Sequence, residues 1–131
     1  ENNRSNLSSL IVAGVWVESM YLLSEVIKES PNSELSEKIG EQKLILGNLM
    51  LLLNNYDKDP KFKELIKDFN EIQNIYREVI ITVEKGEPEA FEENGMLVIK
   101  QNDKQTIEIS QETLFKIINK TVEVRNNIIQ L

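Results

Sequence analysis

Residues 7–27, LSSLIVAGVWVESMYLLSEVI, carry apolar side chains on nearly every face of a helix. A surface helix needs one apolar stripe, so a helix that is apolar all round belongs among other helices. At about 100° per residue, Leu7, Ile11, Gly14, Glu18, Tyr21, Leu22 and Glu25 share one broad face. Trp16, Met20, Leu23 and Ile27 cover the opposite side. Ser5 or Asn6 is suited to cap this helix, and Pro31 ends it by disfavouring helix at Ser30.

Asn32 or Ser33 caps a second helix that runs to about Asn55. Its main stripe is Leu35, Ile39, Gln42, Leu46, Leu49, Met50 and Leu53, while Leu44, Ile45, Leu51 and Leu52 cover further faces. Gly40 and Gly47 fall on one side, with Lys43 between them. Glycine in a helix interior costs about 1 kcal/mol relative to alanine, so the pair suggests close approach of a neighbouring helix.

Asp59 followed by Pro60 is a helix-start signal. Phe62, Leu65, Ile66, Phe69, Ile72, Tyr76, Val79, Ile80 and Val83 then recur every three or four residues, which carries the third helix to Val83. EKGEPEAFEENG reads as an acidic loop, and MLVIK and QTIEIS as short strands. They predict an antiparallel hairpin, 96–100 against 105–109, in an insertion at 92–109. A lone hairpin is marginal in water, so it should lean on the helices. Ser110 caps a last helix with Glu112 in its first turn, and Arg125 sits within its apolar stripe of Leu114, Ile117, Ile118, Thr121, Ile128 and Ile129. The fold expected over 1–131 is one mostly α domain: a four-helix bundle with a small β-hairpin between helices 3 and 4.

Composition narrows the chemistry. The chain has no Cys and no His, so thiol catalysis, a Ser-His-Asp triad and Cys/His metal sites are excluded. With 15 basic against 22 acidic residues, the net charge of −7 argues against nucleic acid and against direct docking on anionic lipid. The run LIVAGVWV stops at Glu18, well short of the roughly 18 apolar residues a bilayer span needs. No nucleotide or phosphate loop appears. The pairs Glu87/Glu89 and Glu92/Glu93 lack the ligand alternation of a calcium loop. We therefore expect no catalytic, cofactor or metal residues.

One polar constellation stands out. Glu18 lies on an apolar face, and the cations Lys43 and Arg125 lie within apolar stripes elsewhere. An unpaired buried charge is expensive, so the expectation is a buried ion pair of Glu18 with one of them, completed by Gln42 or Asn48. That cluster, with Trp16, is either a structural pin or the floor of a ligand pocket between helices 1, 2 and 4. Trp16, Tyr21, Tyr56 and Tyr76 could line such a pocket, although aromatics at helical spacing usually belong to the core.

The blocks GVWVESMYLLSEV, KIGEQKLILGNLMLLL and NGMLVIK, followed by TIEIS and a closing helix with Arg125, resemble an uncharacterised family of helical, lipid-anchored proteins of Bacteroidetes. The resemblance implies the C-terminal half of a lipoprotein-like protein, exported and periplasmic or outer-membrane-associated. Its membrane attachment would come through an upstream lipid anchor. It brings no catalytic residue. The function expected is a non-enzymatic interaction or scaffold module, and the alternative is a small-molecule-binding helical domain. Surplus apolar residues, Trp16, Met20, Leu23 and Ile27 or Leu44, Leu51 and Leu52, should meet a protein partner, a missing N-terminal helical half or a second copy.

Overall fold

A computed structural model describes the backbone of residues 2–129 and the side chains of residues 4–129. In chain order the elements are α1 (Asn2–Glu29), α2 (Ser33–Asn54), α3 (Pro60–Tyr76), β1 (Ile80–Glu84), β2 (Glu89–Glu93), β3 (Met96–Lys100), β4 (Lys104–Glu108) and α4 (Gln111–Ile129). The fold is mostly helical, with all four strands between α3 and α4. α1 contacts α2 and α4, α3 contacts the same two helices, and α2 also touches α4.

The caps act as the sequence suggests. The Asn32 side chain accepts from Glu34 N at 2.7 Å, and Asp59 from Lys61 N at 2.9 Å with Pro60 behind it. Ser110 Oγ accepts from Thr113 N at 3.1 Å. α1 begins earlier than expected, and Asn6 does not cap it: its amide donates to Asp59 Oδ2 at 3.3 Å, tying α1 to the start of α3.

α3 supplies Phe62, Phe69, Ile72 and Tyr76 to the core, against Ile39, Leu46 and Leu53 of α2 and Leu114, Ile117 and Ile118 of α4. α1 presents Ala13, Trp16, Val17, Met20 and Ile27 inward, together with Ser9 and Ser24. This reverses the expected roles of its two faces. Trp16, Met20 and Ile27 are core residues with partners inside this chain, and the Glu18 face points outward. The physical reason is charge. No ionisable group lies on the Trp16 face, and its serines are satisfied locally: Ser9 Oγ donates to Ser5 O at 2.9 Å and Ser24 Oγ to Met20 O at 2.7 Å.

The strand region departs most from expectation. Met96–Lys100 pairs with Glu89–Glu93, and Lys104–Glu108 pairs with Ile80–Glu84, both antiparallel. The 96–100/105–109 hairpin does not form. The insertion is a nested ribbon, β1 with β4 at its root and β2 with β3 at its tip. α3 ends at Tyr76 because Ile80–Glu84, IITVE, is a β-branched run that pairs as a strand. The tip turns at Asn94 and Gly95, with φ of 53° and 76°, the positive values that a two-residue type I′ hairpin requires.

The root rests on α2. Ile107 sits over Gly40, where an added Cβ would lie 2.5 Å from Ile107 Cγ2. The glycine thus admits a strand, not the helix expected there, and Gly47 has no neighbour within 4 Å of an added Cβ. Midway, Gly86 backs onto the Asn102 carbonyl too closely for any side chain. Gly86 N donates to Asp103 Oδ1 at 3.2 Å and Asn102 Nδ2 to Glu87 O at 2.9 Å, joining the two halves. The tip packs on itself: every residue of β2 is exposed, and only Val98 of β3 is partly shielded.

Candidate functional site

The structure divides the five singled-out residues among three separate contacts. On the inner side of α1, Trp16 Nε1 donates to Gln42 Oε1 at 2.9 Å, and its ring tilts against Phe69 at 5.6 Å between centroids. Burying an indole while pairing its N–H is the usual way tryptophan enters a core. Lys43 bonds neither Glu18 nor Gln42. Its Nζ donates to Val79 O at 2.6 Å, so the cation holds the carbonyl end of the α3–β1 junction.

The third contact joins α1 to α4. Arg125 Nε donates to Glu18 Oε2 at 2.8 Å and Nη2 to Glu18 Oε1 at 3.3 Å, a two-pronged pair. The guanidinium also lies 3.9 Å from the Tyr21 ring centroid. The pair is not buried, contrary to expectation: the Glu18 side chain is 48% exposed and that of Arg125 25%. The hydrogen bond from Arg125 holds the Glu18 carboxyl below its ordinary value, against a smaller opposing effect of desolvation. A solvated, paired carboxylate of this kind is a poor general acid or base, because it gives up its proton readily and is held in the ion pair.

Elsewhere, Tyr76 is buried, its hydroxyl donates to Ile39 O at 2.7 Å, and burial pushes the phenol upward. Asp68 is raised, chiefly by desolvation, beside Asn127. Among the described residues, no group of three or more His, Cys, Asp or Glu side chains is placed to hold a metal ion. Every buried side-chain nitrogen or oxygen among them has a partner.

The residues that stand out instead are exposed and apolar. Leu7, Ile11, Val15, Leu22 and Val26 form an outward row on α1, each 49–60% exposed, spaced so that Glu18 falls in the same row. Next to it, Val12 and Leu52 line one shallow groove between α1 and α2. On α2, Leu44, Ile45 and Leu51 are 48–70% exposed. Surplus apolar surface is therefore present. It includes Leu44 and Leu51 as expected, but on α1 it lies opposite the Trp16 side. The signal was readable as a second row repeating every eleven residues: Leu7 to Glu18, Ile11 to Leu22, Val15 to Val26.

By length and composition, Arg4–Glu29 could also cross a membrane: an 18-residue window within it has a mean hydropathy of 1.6. The uninterrupted apolar run, LIVAGVWV, is by itself too short for this, and the longer window includes Glu18. A core helix meets the same criterion, and 33% of that window is buried. A cavity of about 400 Å³ opens between the ends of α1, α2 and α4, lined by Ile27, Pro31, Ser36, Leu114 and Phe115, but not by Glu18, Trp16 or Arg125. Set against known protein families, characterised proteins and solved structures, the chain matches none of them.

Proposed function

We propose that the chain is a non-enzymatic interaction module, a four-helix bundle that holds its α1–α2 face out to a helix of a partner protein. The observation that carries this reading is the outward row of Leu7, Ile11, Val15, Leu22 and Val26 on α1, together with the exposed Leu44, Ile45 and Leu51 of the adjoining α2. So many large apolar side chains left half-exposed or more on two neighbouring helices are uncommon on a lone soluble chain. From Leu7 to Val26 the row runs about 29 Å, a length suited to a helix laid in a groove. The two carboxylates on this face are both paired, Glu18 with Arg125 and Glu25 with Lys28, which eases covering it. The net charge of −7 favours a partner helix whose apolar stripe is flanked by Lys or Arg. The exported, lipid-anchored setting belongs to the same proposal and rests on the resemblance described above.

The test is fluorescence anisotropy with a labelled synthetic helix bearing a leucine stripe and a lysine rim. Saturable binding should weaken about tenfold or more, roughly 1.4 kcal/mol, in the double variant Val15→Lys/Leu51→Lys. The same peptide with a glutamate rim should bind less tightly. No binding, or binding indifferent to the double variant, overturns the reading. Flotation of the chain with neutral phosphatidylcholine vesicles, lost in the same variant, would replace the partner helix with lipid.

The cavity between α1, α2 and α4 favours a second reading, a small-molecule site. Filling it with Ser36→Phe should then abolish the thermal stabilisation given by a bound small apolar compound. The peptide titration should be unaffected.

A further inference from the structure

The tip of the ribbon has two unlike edges. β2 reads EAFEE, three carboxylates in five residues, whereas β3 reads MLVIK with one charge at its end. Exposed strand edges are templates for pairing, and charge along an edge is the usual protection. β2 has that protection and β3 lacks it. Leu97 and Ile99 are 74% and 67% exposed, Met96 70%. A two-stranded hairpin that packs on nothing is marginal, and three or more strands with an apolar face are needed for a stable sheet.

The main-chain groups of β3 are arranged to accept another strand. A two-residue turn closes on a hydrogen-bonded pair, here Glu93–Met96, and hydrogen-bonded and non-bonded pairs then alternate along the ladder. The N–H and C=O groups of Met96, Val98 and Lys100 therefore face β2. Those of Leu97 and Ile99 face outward.

We propose that the chain forms a two-fold dimer by antiparallel pairing of β3 with β3 of a second copy, centred on Val98. The strand is its own complement in this register. Leu97 falls opposite Ile99 of the other copy, and these are the residues with free main-chain groups, so four hydrogen bonds form. On one face, Leu97 and Ile99 of both copies make a cluster of four apolar side chains. On the other, the two Val98 residues meet, each with its own Phe91 across from it in β2. Lys100 falls opposite Met96 of the other copy, whose cross-strand neighbour is Glu93, so no like charges face each other. The outer edges of the resulting four-stranded sheet are the two β2 strands. Pairing β2 with another β2 about Phe91 would set Glu89 against Glu93, so growth stops at two copies.

This proposal does not depend on the α1–α2 face, and the two are separable: Val15→Lys/Leu51→Lys should leave the dimer intact. The chain has no cysteine, so a single introduced thiol reports the register. At the two-fold axis, Val98→Cys would bring two Cα atoms to about 4.5 Å, within disulfide reach. Met96→Cys is a more exposed position, but its two copies would stand about 14 Å apart at roughly 3.4 Å per residue. Under mild oxidation, Val98→Cys should form a covalent dimer at least about tenfold faster than Met96→Cys. Sedimentation equilibrium of the unmodified chain should give twice the chain mass. Leu97→Lys/Ile99→Lys sets lysine opposite lysine and should return the monomer. Leu97→Lys/Ile99→Glu sets opposite charges in register and should restore the dimer. Faster crosslinking at position 96, a monomer at every concentration, or failure of the charge-swapped pair to restore the dimer would overturn the proposal.

Discussion

Gly40→Ala is expected to change sign with its neighbour. Helix propensity alone favours alanine by about 1 kcal/mol. The new Cβ, however, would lie 2.5 Å from Ile107 Cγ2 and 3.5 Å from Val79 Cγ1. Carbon atoms prefer about 3.5–4.0 Å, so β4 must lift by roughly 1 Å. Rotation offers little relief, because Cγ2 is fixed on a β-branched carbon. Overpacking of this kind costs about 1–3 kcal/mol, which leaves Gly40→Ala destabilising by about 1 kcal/mol, a drop of roughly 4 °C in Tm. Ile107→Ala removes the obstructing methyl. In that background Gly40→Ala should stabilise by about 1 kcal/mol, a coupling near 2 kcal/mol in a double-mutant cycle. Urea denaturation of the four proteins, followed by circular dichroism, measures all the terms. If Gly40→Ala is stabilising in the original chain, or its effect is the same in both backgrounds, then β4 does not rest on α2 as described.

Two further perturbations test the contacts around the core. Tyr76→Phe removes the buried hydroxyl donated to Ile39 O and should lower stability by about 1 kcal/mol, read from the urea midpoint at unchanged slope. An unaltered midpoint would place that hydroxyl in water. Glu18, whose carboxyl is lowered by Arg125, contributes stability that is fully present above the ordinary carboxyl value of 4.5 and is lost as pH falls through its depressed folded value. Glu18→Gln should therefore flatten the acid limb of the stability curve below that value. The difference should shrink in high salt because the pair is solvent-exposed, and an acid limb identical in both proteins would show that the pair is not formed.

The helices were legible wherever a cap coincided with a period. Asn32, Asp59–Pro60 and Ser110 each set a boundary by a hydrogen bond that local sequence alone specifies. The end of α3 was not legible by period, since Tyr76, Val79, Ile80 and Val83 fit a helical stripe as well as they fit a junction followed by a strand. The β-branched run Ile80–Val83 and the Asn94–Gly95 pair carried the opposing signal. Together they place the inner hairpin one strand earlier than the paired apolar runs suggested. Of the candidate polar cluster, the Glu18–Arg125 pair forms as expected, but at the surface and apart from Lys43, Gln42 and Trp16. α1 has two apolar faces, and spacing cannot say which is inward. The charge-free face with Trp16 turns inward, and the Glu18–Arg125 pair lies at the rim.

The nested order of the ribbon also sets how the chain can fold. Asn94–Gly95 brings Glu93 to Met96 across the shortest loop a hairpin allows, on a timescale of about 1–10 μs. Each later rung closes a loop whose interior is already paired, so its entropic penalty stays small. The hydrogen bonds of Gly86 and Asn102 carry this zipping across the bend, and the last rung, Ile80 with Glu108, delivers Glu78 to Thr113, bonded at 2.9 Å. The long connection between α3 and α4 thus behaves kinetically as a short one. Once the ribbon is paired, contacts between α3 and α4 that are distant in sequence are closed by a short path through it.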